Sequence, residues 1–270
     1  MSLDGKVAIV TGAGAGPAGG GSGAAIAEEL AARGAQVVVV DVDAESAART
    51  TGRIAAAGRG GARPVVVDLG EQDACERVVA EAVEAFGRID AVVNNLAVTS
   101  PGTVVDTSEA QWARTIELNL ATPVRMCRHA IPWMVRGGGG SVVNIGSSLG
   151  LRGLGASFAY AVSKAGLLGL TREVAVAHGP DGIRCNLVVP GHMHTPMAAR
   201  VAGGERIREV RRRLSPLGIE GTGADVAQAV AFLVGDESRW ITGVVLPVDG
   251  GMLATIPLRA VHELDLASGS

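Results

Sequence analysis

A recurring alternation constrains this chain more than any other feature: short apolar runs, each followed by a stretch with helical spacing. The runs are Val7-Ala-Ile-Val10, Val37–Val40, Pro64–Val67, Ile89–Val93, Val142–Ile145, Arg184–Val189 and Ile241–Val248. They are rich in β-branched residues and read as buried strands. Between them lie helical segments: Ala24 to Gly34, Ala44–Ala57, Asp73–Phe86, a segment after Ser108, Pro123–Arg136, one from near Ser157 to His178, and Ala224–Val234. Gly34, Gly87 and Gly179-Pro180 supply stops. A βαβαβαβ order calls for an α/β domain, a parallel sheet with helices on both faces. Ligands of such sheets collect at the carboxyl ends of the strands.

No linker interrupts the apolar runs before about residue 254, so 1–253 reads as one domain and 254–270 as a tail that either packs at a subunit interface or frays. Aromatics make up only 3% of the chain, so Val, Ala, Leu and Ile must fill the core. A net charge of −3 gives no reason to expect nucleic acid or a membrane surface. Cys75, Cys127 and Cys185 lack metal-ligand spacing, so no metal is expected; they fit reduced thiols in the cytoplasm. No 18-residue apolar span occurs, and the N-terminus leads straight into a strand.

Between the first strand and first helix stand Thr11-Gly12-Ala-Gly14-Ala-Gly16-Pro-Ala-Gly19-Gly20-Gly21-Ser22-Gly23. Strand, glycine loop and helix in that order is the context of a dinucleotide phosphate site. Glycines let the backbone approach the pyrophosphate, and the helix N-terminus offers free amides. The loop lacks Gly-Lys-Ser/Thr, against a nucleotide triphosphatase. Asp41 ends the second strand, where a carboxylate can accept both ribose hydroxyls and would repel a 2′-phosphate; no arginine follows it. NAD is therefore expected over NADP. Asp68-Leu69, at the third strand's tip, can bond an adenine edge.

Tyr160 and Lys164, four apart on a predicted helix, share a face. An ammonium beside a phenol favours phenolate and should lower its pKa, and the helix start near Ser157 acts the same way. The pair suits proton transfer at a carbonyl or alcohol. Asn119 lies within a predicted helix, where asparagine is a poor former and wants a reason. Residues 197–213 read as a strongly arginine-rich helix. It reads either as a solvated charged face, the default, or as a lid attracting an anionic substrate.

From Lys6 to Met252 the chain resembles the short-chain dehydrogenase/reductase family. The resemblance is carried by Thr11-Gly12 with Gly21-Ser22-Gly23, Asp68-Leu69, Asn94-Asn95, Asn119, Ser147, Tyr160-x-x-x-Lys164, Pro190-Gly191 to Thr195 and Asp249-Gly250-Gly251. It implies a single Rossmann-type doubly wound domain with a seven-stranded parallel sheet, usually in homotetramers. It also implies roles. Tyr160 is the general acid/base. Lys164 lowers its pKa and holds the nicotinamide ribose, and Ser147 bonds the substrate oxygen. Asn119 holds a water linking Lys164 to solvent. Asn95 and Ala97 lie along the nucleotide, the backbone from Pro190 and Gly191 to Met193 orients the nicotinamide, and Thr195 bonds its carboxamide.

Two departures from the family pattern are informative. The family loop reads Thr-Gly-x-x-x-Gly-x-Gly, whereas here about five extra residues follow Gly12. Gly16 or Gly21 could serve as the middle glycine, and matching from the helix side favours Gly21 with Gly23. The family's Asn-Asn-Ala-Gly reads Asn94-Asn95-Leu96-Ala97, adding a methyl beside the adenosine ribose. Three functions follow from this reading. The first is an NAD-dependent oxidoreductase interconverting a secondary alcohol and a ketone. The second is an NADPH-dependent carbonyl or 3-ketoacyl-thioester reductase. The third is a non-catalytic nucleotide-sensing module.

Overall fold

The computed structural model describes residues 2–16, 19–194 and 204–256. Its main sheet contains β1 (Val7–Thr11), β4 (Gln36–Asp41), β5 (Gly61–Val66), β6 (Ala91–Asn94), β7 (Gly140–Ile145), β8 (Ile183–Pro190) and β9 (Val245–Val248). Their spatial order is β5-β4-β1-β6-β7-β8-β9, and every pairing is parallel. The chain winds outward from β1 through β4 and β5, then crosses back to β6 on the other side of β1. That reversal opens a crevice at the carboxyl ends of β1 and β6, where a doubly wound sheet binds ligands.

Each central strand divides its side chains between two cores, because successive residues point to opposite faces. Val10, Val37 and Val39 pack with Ile26 and Leu30 of helix α1 (Ser22–Ala32) and with Val226 and Val230 of the helix Gly223–Val234. Ile9, Val38 and Val92 face the other way, onto α3 (Ala74–Phe86), α5 (Thr122–Arg136) and α6 (Phe158–His178). Helix α2 (Ala44–Ala57) is capped by Asp43, whose side chain accepts the Glu45 N–H. Helix α4 (Glu109–Ile116) starts from a Ser108–Gln111 capping box.

Three local departures from the sequence reading have physical reasons. The third strand runs Gly61–Val66 rather than 64–67, and Pro64 is tolerated because β5 is an edge. The last strand starts at Val245 rather than Ile241. The fully buried Asn186 takes over the earlier ladder, donating to the Ile241 carbonyl at 3.0 Å and accepting from the Val244 N–H at 3.3 Å. The extra glycine-loop residues include a small hairpin, β2 (Ala15–Gly16) paired antiparallel with β3 (Gly19–Gly20). The described part of the arginine-rich helix is Glu205–Leu214. Residues 195–203, which include Thr195, and all but the first three residues of the 254–270 tail lie outside the described residues.

Candidate active site

Helix α6 begins after Ser157 at the mouth of the crevice, which places Tyr160 in its first turn and Lys164 one turn deeper. Lys164 is 3% exposed and donates from Nζ to the carbonyl of Ile145, the last residue of β7, at 2.7 Å. Its ammonium lies 5.8 Å from the centre of the Tyr160 ring. Ser147 stands two residues beyond β7. Its hydroxyl accepts the Leu149 N–H at 3.2 Å, opening a short 3₁₀ turn, and bonds the Tyr160 phenol. The turn passes so close to α6 that a Cβ on Gly150 would meet the Lys164 carbonyl carbon at 2.8 Å. Gly150 is a supporting residue that spacing alone did not reveal.

The Tyr160 pKa corrects the expectation. Burial pushes the phenol up from its ordinary value, and the Ser147 hydrogen bond opposes that only in part. The Lys164 ammonium is aimed at the Ile145 carbonyl and lies 5.8 Å from the ring centre. Burial lowers the Lys164 pKa to about 8. At neutral pH the site thus holds a neutral phenol near a buried and mostly charged lysine.

Asn119 sits inside a π-helical turn, Glu117–Ala121, a local widening common at functional sites. Its side-chain oxygen accepts the Val98 N–H at 2.8 Å, and its amide donates to the Val98 carbonyl at 2.9 Å and to Ser163 Oγ at 3.1 Å. Ser163 in turn donates to the Tyr160 carbonyl at 2.7 Å. Both amide hydrogens are therefore spent on protein. Asn119 ties the loop after β6 to the tyrosine helix, and a water held there could use only its remaining acceptor capacity or main chain. Ser163 was missed by the sequence reading; a serine mid-helix was its one visible signal.

The glycine loop follows β1, which β6 separates from β7 in the sheet. A Cβ on Gly23 would sit 2.1 Å from the Gly12 oxygen, whereas one on Gly21 would meet nothing within 4 Å. Gly21 caps α1 without a side-chain bond, and no acidic residue occupies the first turn. The loop is thus tight inside and open at the helix N-terminus, which fits a pyrophosphate. The Ser22 hydroxyl donates to Asn95 Oδ1 at 2.7 Å, and Asn95 Nδ2 donates to the Thr11 and Gly12 carbonyls, each at 3.0 Å. Those two side chains hold the loop rather than face outward. Gly23→Ala should cost about 1–3 kcal/mol of stability and weaken nucleotide binding, read by denaturation and NADH fluorescence.

At the other strand tips, Asp41 accepts the Gly14 N–H at 2.8 Å and the Asp43 N–H at 3.1 Å. Asp68 accepts the Gly70 N–H at 2.9 Å. Leu69 is 3% exposed, leaving mainly its backbone for a ligand. Ala97 is half-buried in the segment after β6. Pro190 ends β8, and a Cβ on the following Gly191 would press on Asp249 at 2.6 Å. Met193 bridges to Gly221. Four of the five arginines in Glu205–Leu214 are ion-paired. Arg208 and Arg211 pair with the nearly buried Glu220, Arg212 with Glu205 and Glu209, and Arg213 with Glu209. This favours the default reading of that helix over an anion trap.

Residues 16–253 match the sequence profile of a family described as Enoyl-(Acyl carrier protein) reductase. The chain is 34% identical to a 3-oxoacyl-(acyl-carrier-protein) reductase of Thermotoga maritima, covering 94% of this chain and all of that one. It is 38% identical to the cis-4-hydroxycyclohexanecarboxylate dehydrogenase of Sinomonas cyclohexanicum, over 92% of this chain and 97% of that one. A crystal structure of a short-chain dehydrogenase/reductase from Burkholderia xenovorans superposes with a TM-score of 0.89 at 44% identity, covering 94% and 98% of the two chains. The chain belongs to the short-chain dehydrogenase/reductase family. As a short-chain dehydrogenase/reductase it is an NAD(P)-dependent oxidoreductase acting on alcohol or ketone groups, and its seven-stranded parallel sheet is the Rossmann-type fold of that family. No helix among the described residues is long and apolar enough to cross a membrane.

Proposed function

We propose that this enzyme interconverts a secondary alcohol and a ketone with NAD, using Tyr160, Ser147, Lys164 and Asn119. The observation that carries the reading is the convergence, at the mouth of the β1/β6 crevice, of a Ser147-bonded phenol and a buried ammonium one helical turn away. A nicotinamide nucleotide, when bound, accepts or supplies the hydride. It would be held by Gly12, Gly21, Gly23, Asp41, Asp68, the main chain of Leu69, the segment Asn95–Ala97, Lys164 and the backbone from Pro190 to Met193, with Thr195 beyond.

The chain's own residues do the rest. Ser147 Oγ holds the substrate oxygen. Tyr160 gives that oxygen a proton in reduction and takes one from it in oxidation. The Lys164 charge stabilises the phenolate left after donation, and Asn119 keeps the tyrosine helix in register with the loop after β6. A panel of secondary alcohols and ketones, followed by nicotinamide absorbance with NAD and NADP in parallel, tests the reading. Turnover with none of them, despite tight NADH binding, would favour the nucleotide-sensing module instead.

Asp41 supports NAD, since a 2′-phosphate placed near it would meet a carboxylate. Asp41→Ala should narrow the preference for NADH over NADPH by about tenfold, read as the ratio of their dissociation constants. One observation favours the second reading, an NADPH-dependent carbonyl or 3-ketoacyl-thioester reductase: a relative 34% identical over 94% of this chain is a 3-oxoacyl-(acyl-carrier-protein) reductase. The ratio of the NADH and NADPH dissociation constants distinguishes the two. We further propose one catalytic domain over 1–253, a homotetramer in the cytoplasm, consistent with three reduced cysteines and with exposed apolar residues such as Val105, Val176 and Trp240. Light scattering at four times 27.2 kDa checks the assembly.

A further inference from the structure

The hairpin inserted in the glycine loop is tied to α2 by two residues. Arg49 Nε donates to the Ala15 carbonyl at 2.7 Å, and the fully buried Thr50 hydroxyl donates to the Ala13 carbonyl at 2.8 Å. The rest of the Arg49 guanidinium is also engaged. Nη2 donates to Ser46 Oγ at 2.7 Å and lies 3.8 Å from Asp43, and Nη1 lies 3.4 Å from Glu45. The same loop presses on the tip of β4. Gly14 N–H holds Asp41 Oδ2 at 2.8 Å, and a methyl on Gly14 would approach that oxygen and the Ser46 Cβ at 2.7 Å each. Asp41 and Asp43 therefore present carboxylates where the second strand ends, while the neighbouring arginine is turned onto the hairpin.

An arginine near that tip is the natural partner of a 2′-phosphate, because its forked donors match phosphate oxygens. Here its Nε is occupied by the carbonyl of Ala15, the first residue of the hairpin, and its other nitrogens face Ser46, Asp43 and Glu45. We propose that the hairpin is a nucleotide-selecting element: by holding Arg49 on Ala15 and Asp41 on Gly14, it admits a ribose with a free 2′-hydroxyl and rejects a 2′-phosphate. This rests on the reading of the crevice as a nicotinamide nucleotide site. Arg49 and Thr50 are positioning residues within it.

The test is fluorescence titration of the full-length protein with NADH and NADPH. Four proteins are compared: wild type, a deletion of residues 15–19 that restores the family's loop length, the same deletion with Arg49→Met, and Arg49→Met alone. Wild type should prefer NADH. The deletion should shift the affinity ratio toward NADPH by about tenfold or more, and adding Arg49→Met should remove that gain. Arg49→Met alone should weaken NADH by about tenfold with no gain for NADPH. A deletion protein with the wild-type ratio, or a gain that survives Arg49→Met, overturns the proposal. If circular dichroism shows the deletion protein unfolded, Arg49→Met alone decides, and unchanged NADH affinity overturns it. A wild type binding neither nucleotide removes the site reading itself, whereas NADH-selective binding indifferent to all variants removes only the selecting role of the hairpin.

Discussion

Tyr160→Phe should lower kcat by about 10²- to 10⁴-fold, the span of a lost general acid/base. The substitution removes one hydroxyl from a half-buried ring in the first turn of α6 and leaves its packing in place. Ser147 then loses its phenol partner but keeps the Leu149 N–H. Stability should change by no more than about 1 kcal/mol, the net worth of an ordinary hydrogen bond. NADH affinity should fall far less than turnover, since the loop and strand tips are untouched. Steady-state kinetics beside an NADH titration check both parts. Residual turnover near the wild-type rate would take proton transfer away from Tyr160.

Lys164→Met should separate activity from stability. Turnover falls steeply because the charge that stabilises a phenolate is gone. The fold should be unharmed or strengthened, because among the described residues this 3% exposed ammonium pairs with no carboxylate; its bond is to the Ile145 carbonyl. A lysine held at about 8, against an ordinary value near ~10.4, costs roughly 3 kcal/mol of folding free energy at neutral pH. Leaving the carbonyl without its donor takes back about 1–3 kcal/mol. The net expectation runs from no change to a gain of ~2 kcal/mol in urea denaturation at neutral pH.

The pH dependence has a definite sign. Between about 8 and ~10.4 the unfolded chain holds the lysine proton and the folded chain does not, so this group's contribution to stability rises with pH. Below that window both states are protonated and the cost is constant. Any advantage of Lys164→Met over wild type should therefore shrink as pH rises from 7 toward 10. A loss of more than about 2 kcal/mol at pH 7 would mean that the ammonium is better compensated than its geometry indicates.

Much of the fold was legible because its signals are local. Val37–Val40 is an uninterrupted apolar run and Val142–Ile145 is broken only by the buried Asn144, and a sheet covered on both faces buries such runs. The first turn of α6 was legible at Ser157, and the pairing of Tyr160 with Lys164 followed from helical periodicity. Less was legible where a long-range partner decides the outcome. The late start of β9 depends on Asn186, which lies on the neighbouring strand. Nothing local in α2 marks Arg49 and Thr50 as partners of the glycine loop, which folds back on them.

From its residues alone the chain determined a doubly wound parallel sheet and a phenol and ammonium on one helix face, because strand burial and helix periodicity are set by near neighbours in sequence. Tertiary structure alone decided how the pKa values of that pair shift. A pKa answers to everything that displaces water around the group, and here burial raises the phenol and lowers the amine. It also decided that Asn119 clamps Val98 and Ser163, since those partners come from segments 21 and 44 residues away.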